Sequence, residues 1–179
     1  MKISELSIKG CFLITLESYI DERGIFVKTF NRDLFQGTKL ENFIMEEEFF
    51  TVSNKNVIRG LHFQIPPFQH NKLVSCTSGE VTDVLLDIRK DSVTYGRYCS
   101  INLNSKDNQI IYIPIGIAHG FISRSNKSSM NYKVDKKYSA EYDAGIAWDS
   151  FSYNWNCDAP IISQRDSKFP TLADFNSPF

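Results

Sequence analysis

Short hydrophobic runs rich in Val, Ile, Thr, Tyr and Phe follow one another along this chain, and clusters of Gly, Pro, Asn and Asp separate them. A period of two is the signature of a strand with one buried face, and the punctuating residues supply turns. Strands are expected at 11–16, 26–30, 47–53, 57–63, 72–78, 80–88, 98–103, 109–113, 120–123 and 130–133. One short helix is expected at 32–35, with Asn31 as its cap. The tail after Trp155 lacks a clear period and reads as a loop-rich extension. No internal repeat or composition break divides the chain, so residues 1–179 form one domain. That many short strands in one domain imply an all-β sandwich or barrel, and a jelly roll suits them.

The run from Glu80 to Ile88 sharpens the picture. Val81, Asp83, Leu85 and Asp87 share one face, and Thr82, Val84, Leu86 and Ile88 the other. The second set is an ordinary core side. The first carries two carboxylates, which point either into a cavity or to solvent.

Charge narrows the function. With 20 basic and 21 acidic residues, the chain lacks the basic excess of a general nucleic-acid binder. The apolar stretch at 11–16 is too short, and too closely flanked by Lys9, Glu17 and Asp21, for a signal peptide or membrane span. Cys11, Cys76, Cys99 and Cys157 form no CxxC pair, as expected of reduced thiols in a cytoplasmic protein.

Three histidines occur, His62, His70 and His119. Pro114, Gly116 and His119 make a P-x-G-x-x-H pattern that resembles the second motif of the cupin superfamily. There the Pro and Gly form a tight turn and the His enters the barrel. The strand matching the first, metal-binding motif offers only His62-Phe63-Gln64, and His70 follows too late to complete an HxH pair. Three or four ligands make a stable transition-metal site. No metal and no cofactor are therefore expected.

A longer set of blocks is more specific. Asp21-Glu22-Arg23-Gly24, Arg59-Gly60-Leu61-His62-Phe63-Gln64, Pro66-Pro67, Lys72-Leu73-Val74, Asp83-Val84 and Asp87-Ile88-Arg89 occur in that order. Ala118-His119-Gly120-Phe121, Gly145-Ile146-Ala147-Trp148 and Ser163-Gln164-Arg165-Asp166 follow. Together they closely resemble the dTDP-4-dehydrorhamnose 3,5-epimerase family, the RmlC-like sugar epimerases. The resemblance implies a cupin jelly roll with a few short helices, mainly near the C-terminus. It implies a homodimer with strand exchange, and a nucleoside-diphosphate 4-keto-6-deoxy sugar as substrate, in deoxysugar synthesis for surface polysaccharide. Neither nucleic acid nor membrane is an expected partner.

Such a reaction needs a base beside the keto group, a cation for the enolate oxygen, and an acid on the opposite face. His62 fits the base, since an imidazole pKa of about 6.5 suits general base catalysis at neutral pH. By resemblance Asp166 holds it. Lys72 shares a strand face with Val74 and Cys76, so its ammonium can enter a cavity and stabilise the enolate. Tyr132 matches the family's acid; Tyr138 is nearby, but the spacing to Trp148 favours Tyr132. Arg59 would hold the diphosphate or sugar, yet it lies three residues from His62, on the opposite face of a regular strand. A bulge at Gly60 would bring both to one side. Arg23, His119, Asp143 and Arg165 are further substrate-binding candidates, with Asp83 placed to orient His119.

The chain also departs from the family. Lys28 stands where the family has Glu, and Glu47-Glu48-Phe49 where it has Q-x-N. These positions, counted here as substrate-binding, belong to the nucleotide end. They imply retained chemistry with a different nucleotide or sugar, such as a CDP- or GDP-linked or more deoxygenated one. The rival readings are a 3,4-ketoisomerase, a non-catalytic sugar-binding cupin and a metal-dependent oxygenase.

Overall fold

The computed structural model describes residues 1–38 and 40–179. Two antiparallel sheets face each other. One has six strands in the order β1 (Lys2–Glu5), β2 (Phe12–Thr15), β10 (Gln109–Ile113), β7 (Lys72–Ser78), β12 (Lys127–Val134) and β5 (Glu47–Asn54). The other has five, in the order β13 (Asp143–Gly145), β6 (Ile58–Gln64), β11 (Ile117–Ser123), β8 (Glu80–Asp87) and β9 (Tyr98–Asn104). This is the expected jelly roll. Helix among the described residues is limited to 3-10 turns at Arg32–Phe35, Ala140–Tyr142 and Asp166–Lys168. The first is capped by the Asn31 side chain, which accepts from the Asp33 N–H. No helix among the described residues is long and apolar enough to cross a membrane.

Strand alternation divides the core into three layers. Val74, Cys76, Val81, Leu85, Ile117, Phe121, Met130 and Tyr132 meet between the sheets. Behind the five-stranded sheet, Val84, Leu86, Ile88, Ala118 and Ile122 pack against the C-terminal tail through Trp148, Trp155, Leu172 and Phe175. Behind the six-stranded sheet, Phe12, Ile14, Leu73 and Ile110 pack against Phe35, Leu40 and Phe43. The loop-rich tail is therefore a cover, and it explains why both faces of β8 are buried. The face bearing Asp83 and Asp87 is the interior one. Only Asp83 serves the cavity described below. Asp87 is taken up by the turn after β8, where Arg89, Ser92 and Thr94 donate to its carboxylate.

The main difference from expectation lies near the N-terminus. The strand expected at 26–30 is β4 (Gly24–Val27), which pairs only with β3 (Ser18–Asp21) in a separate hairpin. Tyr19, Ile20, Ile25 and Phe26 on this hairpin are 58–78% exposed. Strand β11 begins three residues before the expected 120, directly after the Pro114–Gly116 turn, because its apolar run fills both faces and lacks alternation.

Candidate active site

A cavity of about 220 Å3 lies between the sheets, bordered by Phe121 and Tyr132 of the inter-sheet core. The five-stranded sheet brings Arg59, His62 and His119 to it, and the six-stranded sheet brings Phe49, Thr51, Lys72 and Tyr132. Asp143, Arg165 and Tyr138 complete its mouth. Imidazole and phenol thus enter from opposing walls.

Arg59 and His62 reach one cavity through an irregularity in β6. His62 pairs with His119, but Arg59 pairs with Phe121, so three steps on β6 match two on β11. Gly60 absorbs the extra residue at φ 121°, in the region that favours glycine. A Cβ there would stand 2.6 Å from the Gly120 Cα and 2.7 Å from the His119 carbonyl, so the strands approach too closely for any side chain. Leu61, between Gly60 and His62, points outward into the tail-covered layer.

His62 Nε2 lies 3.0 Å from one oxygen of Asp166. The other oxygen accepts the Gly60 N–H at 3.0 Å. The Asp166 N–H donates to Ser163 Oγ, which fixes the 3-10 turn that carries the carboxylate. Burial would raise the Asp166 carboxyl, but His62 and the Gly60 N–H outweigh it and leave it below the usual range. Asp166 is thus an anion that accepts from Nε2–H, and the His62 lone pair sits on Nδ1. Burial lowers the pKa of His62, Asp166 opposes it, and Arg165 and Lys72 add to the lowering. The imidazole is neutral at neutral pH, the state a base requires.

Lys72 points inward with Val74 and Cys76, as its alternation predicts. It is 9% exposed and donates to the His62 carbonyl at 3.1 Å. Burial brings its pKa down to about 8, with Asp143 and Asp83 acting in the other direction. Tyr132 is buried under Phe49, its cross-strand partner, with the rings stacked at 4.9 Å. Burial, with Asp83 nearby, pushes its phenol above the usual range. Tyr138 also reaches the cavity, but it is exposed and donates to Asp143, whereas Tyr132 lies buried on the strand facing His62.

His119 is held at 2.8 Å by Asp83, both buried. Burial raises the Asp83 carboxyl, against the pull of His119 and Lys72. Arg165 pairs with Asp143 at 2.9 Å. Arg59 donates to Ser53 Oγ at 2.9 Å. Among the described residues no three His, Cys, Asp or Glu side chains group so as to hold a metal ion. Arg23 and Lys28 lie outside the cavity: Arg23 pairs with Asp21 on the exposed hairpin, and Lys28 follows that hairpin in the chain. Glu47 is likewise not on the wall; its carboxylate accepts the Tyr138 N–H. Sequence reasoning missed Gln64 and His70, which line the cavity. Gln64 follows His62 by two on β6, and His70 precedes Lys72 by two, spacings that put each beside a recognised residue.

With this geometry in view, comparison with known proteins is specific. A family model described as dTDP-4-dehydrorhamnose 3,5-epimerase matches residues 5–174. A dTDP-4-dehydrorhamnose 3,5-epimerase of Methanothermobacter thermautotrophicus is 40% identical over 174 residues, covering 94% of this chain and 92% of the relative. The crystal structure of a dTDP-4-dehydrorhamnose 3,5-epimerase from Elizabethkingia anophelis superposes with a TM-score of 0.90 at 31% identity, covering 99% of each chain. The enzyme of Legionella pneumophila, solved in complex with dTDP-4-keto-L-rhamnose, superposes with a TM-score of 0.91 at 29% identity, covering 98% of this chain and 94% of that one.

Proposed function

The chain belongs to the dTDP-4-dehydrorhamnose 3,5-epimerase family of nucleotide-sugar epimerases, and we propose that it inverts C3, C5 or both of a nucleoside-diphosphate 4-keto-6-deoxy sugar. The observation that carries this reading is the cavity walled by His62 on one sheet and Tyr132 on the other, with Lys72 buried beside them. His62 Nδ1 takes the proton from the carbon next to the ketone. The electron pair moves into the C4 carbonyl, and the enolate oxygen meets the Lys72 ammonium. Tyr132 returns a proton from the other wall, so configuration inverts. One such donor is typically worth about 2.7–4 kcal/mol in an enzyme's transition state. Asp83 holds His119, and Arg59 and Arg165 supply positive charge for the diphosphate.

The test is proton NMR of nucleotide-linked 4-keto-6-deoxy sugars with the protein in D2O. Deuterium entering at C3 or C5 while C4 remains the ketone supports epimerisation. A carbonyl that migrates to C3 identifies a ketoisomerase instead, and no exchange with any sugar leaves a binding protein.

The relatives named for dTDP sugars favour dTDP as the carrier. Phe49 and Lys28, which depart from the family pattern, favour a difference at the nucleotide end. Titration with dTDP, CDP and GDP separates the two, since a clear preference for dTDP removes the second.

The same reading includes a homodimer. The exposed apolar hairpin β3–β4 would pack on a second copy and carry Arg23 and Lys28 towards that copy's cavity. Sedimentation at micromolar concentration tests this, and a monomer that is fully active counts against it. The four cysteines are free thiols, which supports a reducing, cytoplasmic setting.

A further inference from the structure

His70 has no part in the mechanism above, yet it lines the same cavity as Lys72. Its Nδ1 is engaged by neighbours, the Gln64 amide at 3.1 Å and the Phe68 carbonyl at 3.3 Å. Which ring nitrogen carries hydrogen follows from Gln64. The Gln64 Oε1 accepts the Ser139 N–H at 2.6 Å, so the other end of that amide is its NH2. This NH2 donates to the Phe68 carbonyl at 2.9 Å and points at Nδ1. A hydrogen on Nδ1 would set donor against donor at 3.1 Å and would have to share the Phe68 carbonyl, 3.3 Å away, with the shorter Gln64 bond; the second Gln64 hydrogen has Nδ1 nearer than its other acceptor, the Lys137 carbonyl at 3.4 Å. Nδ1 is therefore the acceptor, and Nε2 carries the hydrogen.

Among the described residues nothing accepts from Nε2. Burial, with the Lys72 charge beside it, lowers the His70 pKa to about 3, against a small pull from the Phe68 carbonyl. The ring is thus a neutral donor of fixed tautomer. A neutral imidazole suits an oxygen that gains charge during reaction, because it adds a hydrogen bond without further repelling Lys72.

Resting on the epimerase reading, we propose that His70, oriented by Gln64, donates from Nε2 to the C4 oxygen of the bound keto sugar beside Lys72. The sugar oxygen then has two donors, one charged and one neutral. As the neighbouring C–H bond breaks, its electron pair ends on this oxygen. Both hydrogens stay on their nitrogens, and the proton taken by His62 is balanced by the one Tyr132 returns.

Two measurements on the whole protein test this. In histidine-labelled enzyme at neutral pH, nitrogen–proton correlation NMR is expected to report His70 as the neutral Nε2–H tautomer, assigned by its loss in His70→Gln. The Nδ1–H tautomer or an imidazolium overturns the proposal without reference to activity. In kinetics, His70→Phe is expected to lower kcat about 10- to 100-fold, as for one hydrogen bond to a charged oxygen, with KM little changed. His70→Gln, which keeps a donor, is expected to recover most of that loss. An unchanged kcat in His70→Phe, or equal losses in both variants, overturns the proposal. Absence of turnover in the unsubstituted enzyme would instead refute the epimerase reading, so the two failures are distinguishable.

Discussion

Asp166 holds His62 and the backbone of the same strand at once, through 3.0 Å contacts from its two oxygens to His62 Nε2 and the Gly60 N–H. The Gly60 contact decides what Asp166→Asn would do. The Asn oxygen must stay on the Gly60 N–H, which leaves its NH2 facing Nε2. An NH2 there needs a lone pair on Nε2, so the hydrogen moves to Nδ1, the atom proposed as the base. The fold survives, and epimerisation is expected to drop about 10²- to 10⁴-fold, the range of general acid–base catalysis. Steady-state kinetics alongside a urea melt checks this. An unimpaired rate would remove Asp166 from the mechanism.

Two groups of shifted pKa set a pH window for kcat/KM, which reports the free enzyme. His62 must be neutral; its pKa is lowered, so activity is retained as pH falls through 6.5, the ordinary imidazole value, and is lost only below it. Lys72 must be charged, so activity falls as pH rises through about 8. Tyr132 stays protonated throughout, because its phenol lies above the usual range. A bell-shaped profile is expected, and Lys72→Met should abolish its alkaline limb together with most of the rate. An alkaline limb that persists unchanged in that variant would assign it to another group.

Gly60 is where backbone and chemistry meet. Gly60→Ala forces an L-residue to φ 121° and drives a methyl into β11 at Gly120. The strain alone costs about 1–3 kcal/mol, and the clash adds to it. The urea midpoint is expected to fall, and Arg59 and His62 should no longer share a wall, so activity falls further than stability. A variant as stable and active as the parent would show that the bulge is dispensable.

How far the residues foretold this site depends on where period two holds. Lys72 lies on a regular strand, so its alternation with Val74 and Cys76 correctly turned it inward. The Gly60 bulge was legible as a requirement, since Arg59 and His62 could not otherwise meet, and glycine was the one residue that allowed it. Asp83 could not be assigned a face from its strand because both faces of β8 are buried, one only by virtue of the distant tail. Arg23 and Lys28 depend on the hairpin β3–β4, whose strands pair with neither large sheet; no local pattern says where such a hairpin goes. His70 precedes β7, where strand alternation stops, so periodicity does not place it on the cavity wall.

Tyr132 supplies the sharpest separation of roles. If His62 removes the proton and Tyr132 replaces it from the opposing sheet, then Tyr132→Phe leaves the first step intact. The enolate still forms, held by Lys72, and His62 can return a proton to the face it came from. In D2O the His62 hydrogen exchanges with solvent, so the starting sugar should gain deuterium with its configuration retained, while epimer formation falls by about 10²- to 10⁴-fold. The Phe49 stack on the ring does not need the hydroxyl, so the fold should be undisturbed. Asp166→Asn should suppress exchange and epimerisation together. Proton NMR of the recovered sugar distinguishes the two variants. Equal loss of exchange and inversion in Tyr132→Phe would mean that one group, and not a pair on facing sheets, handles both protons.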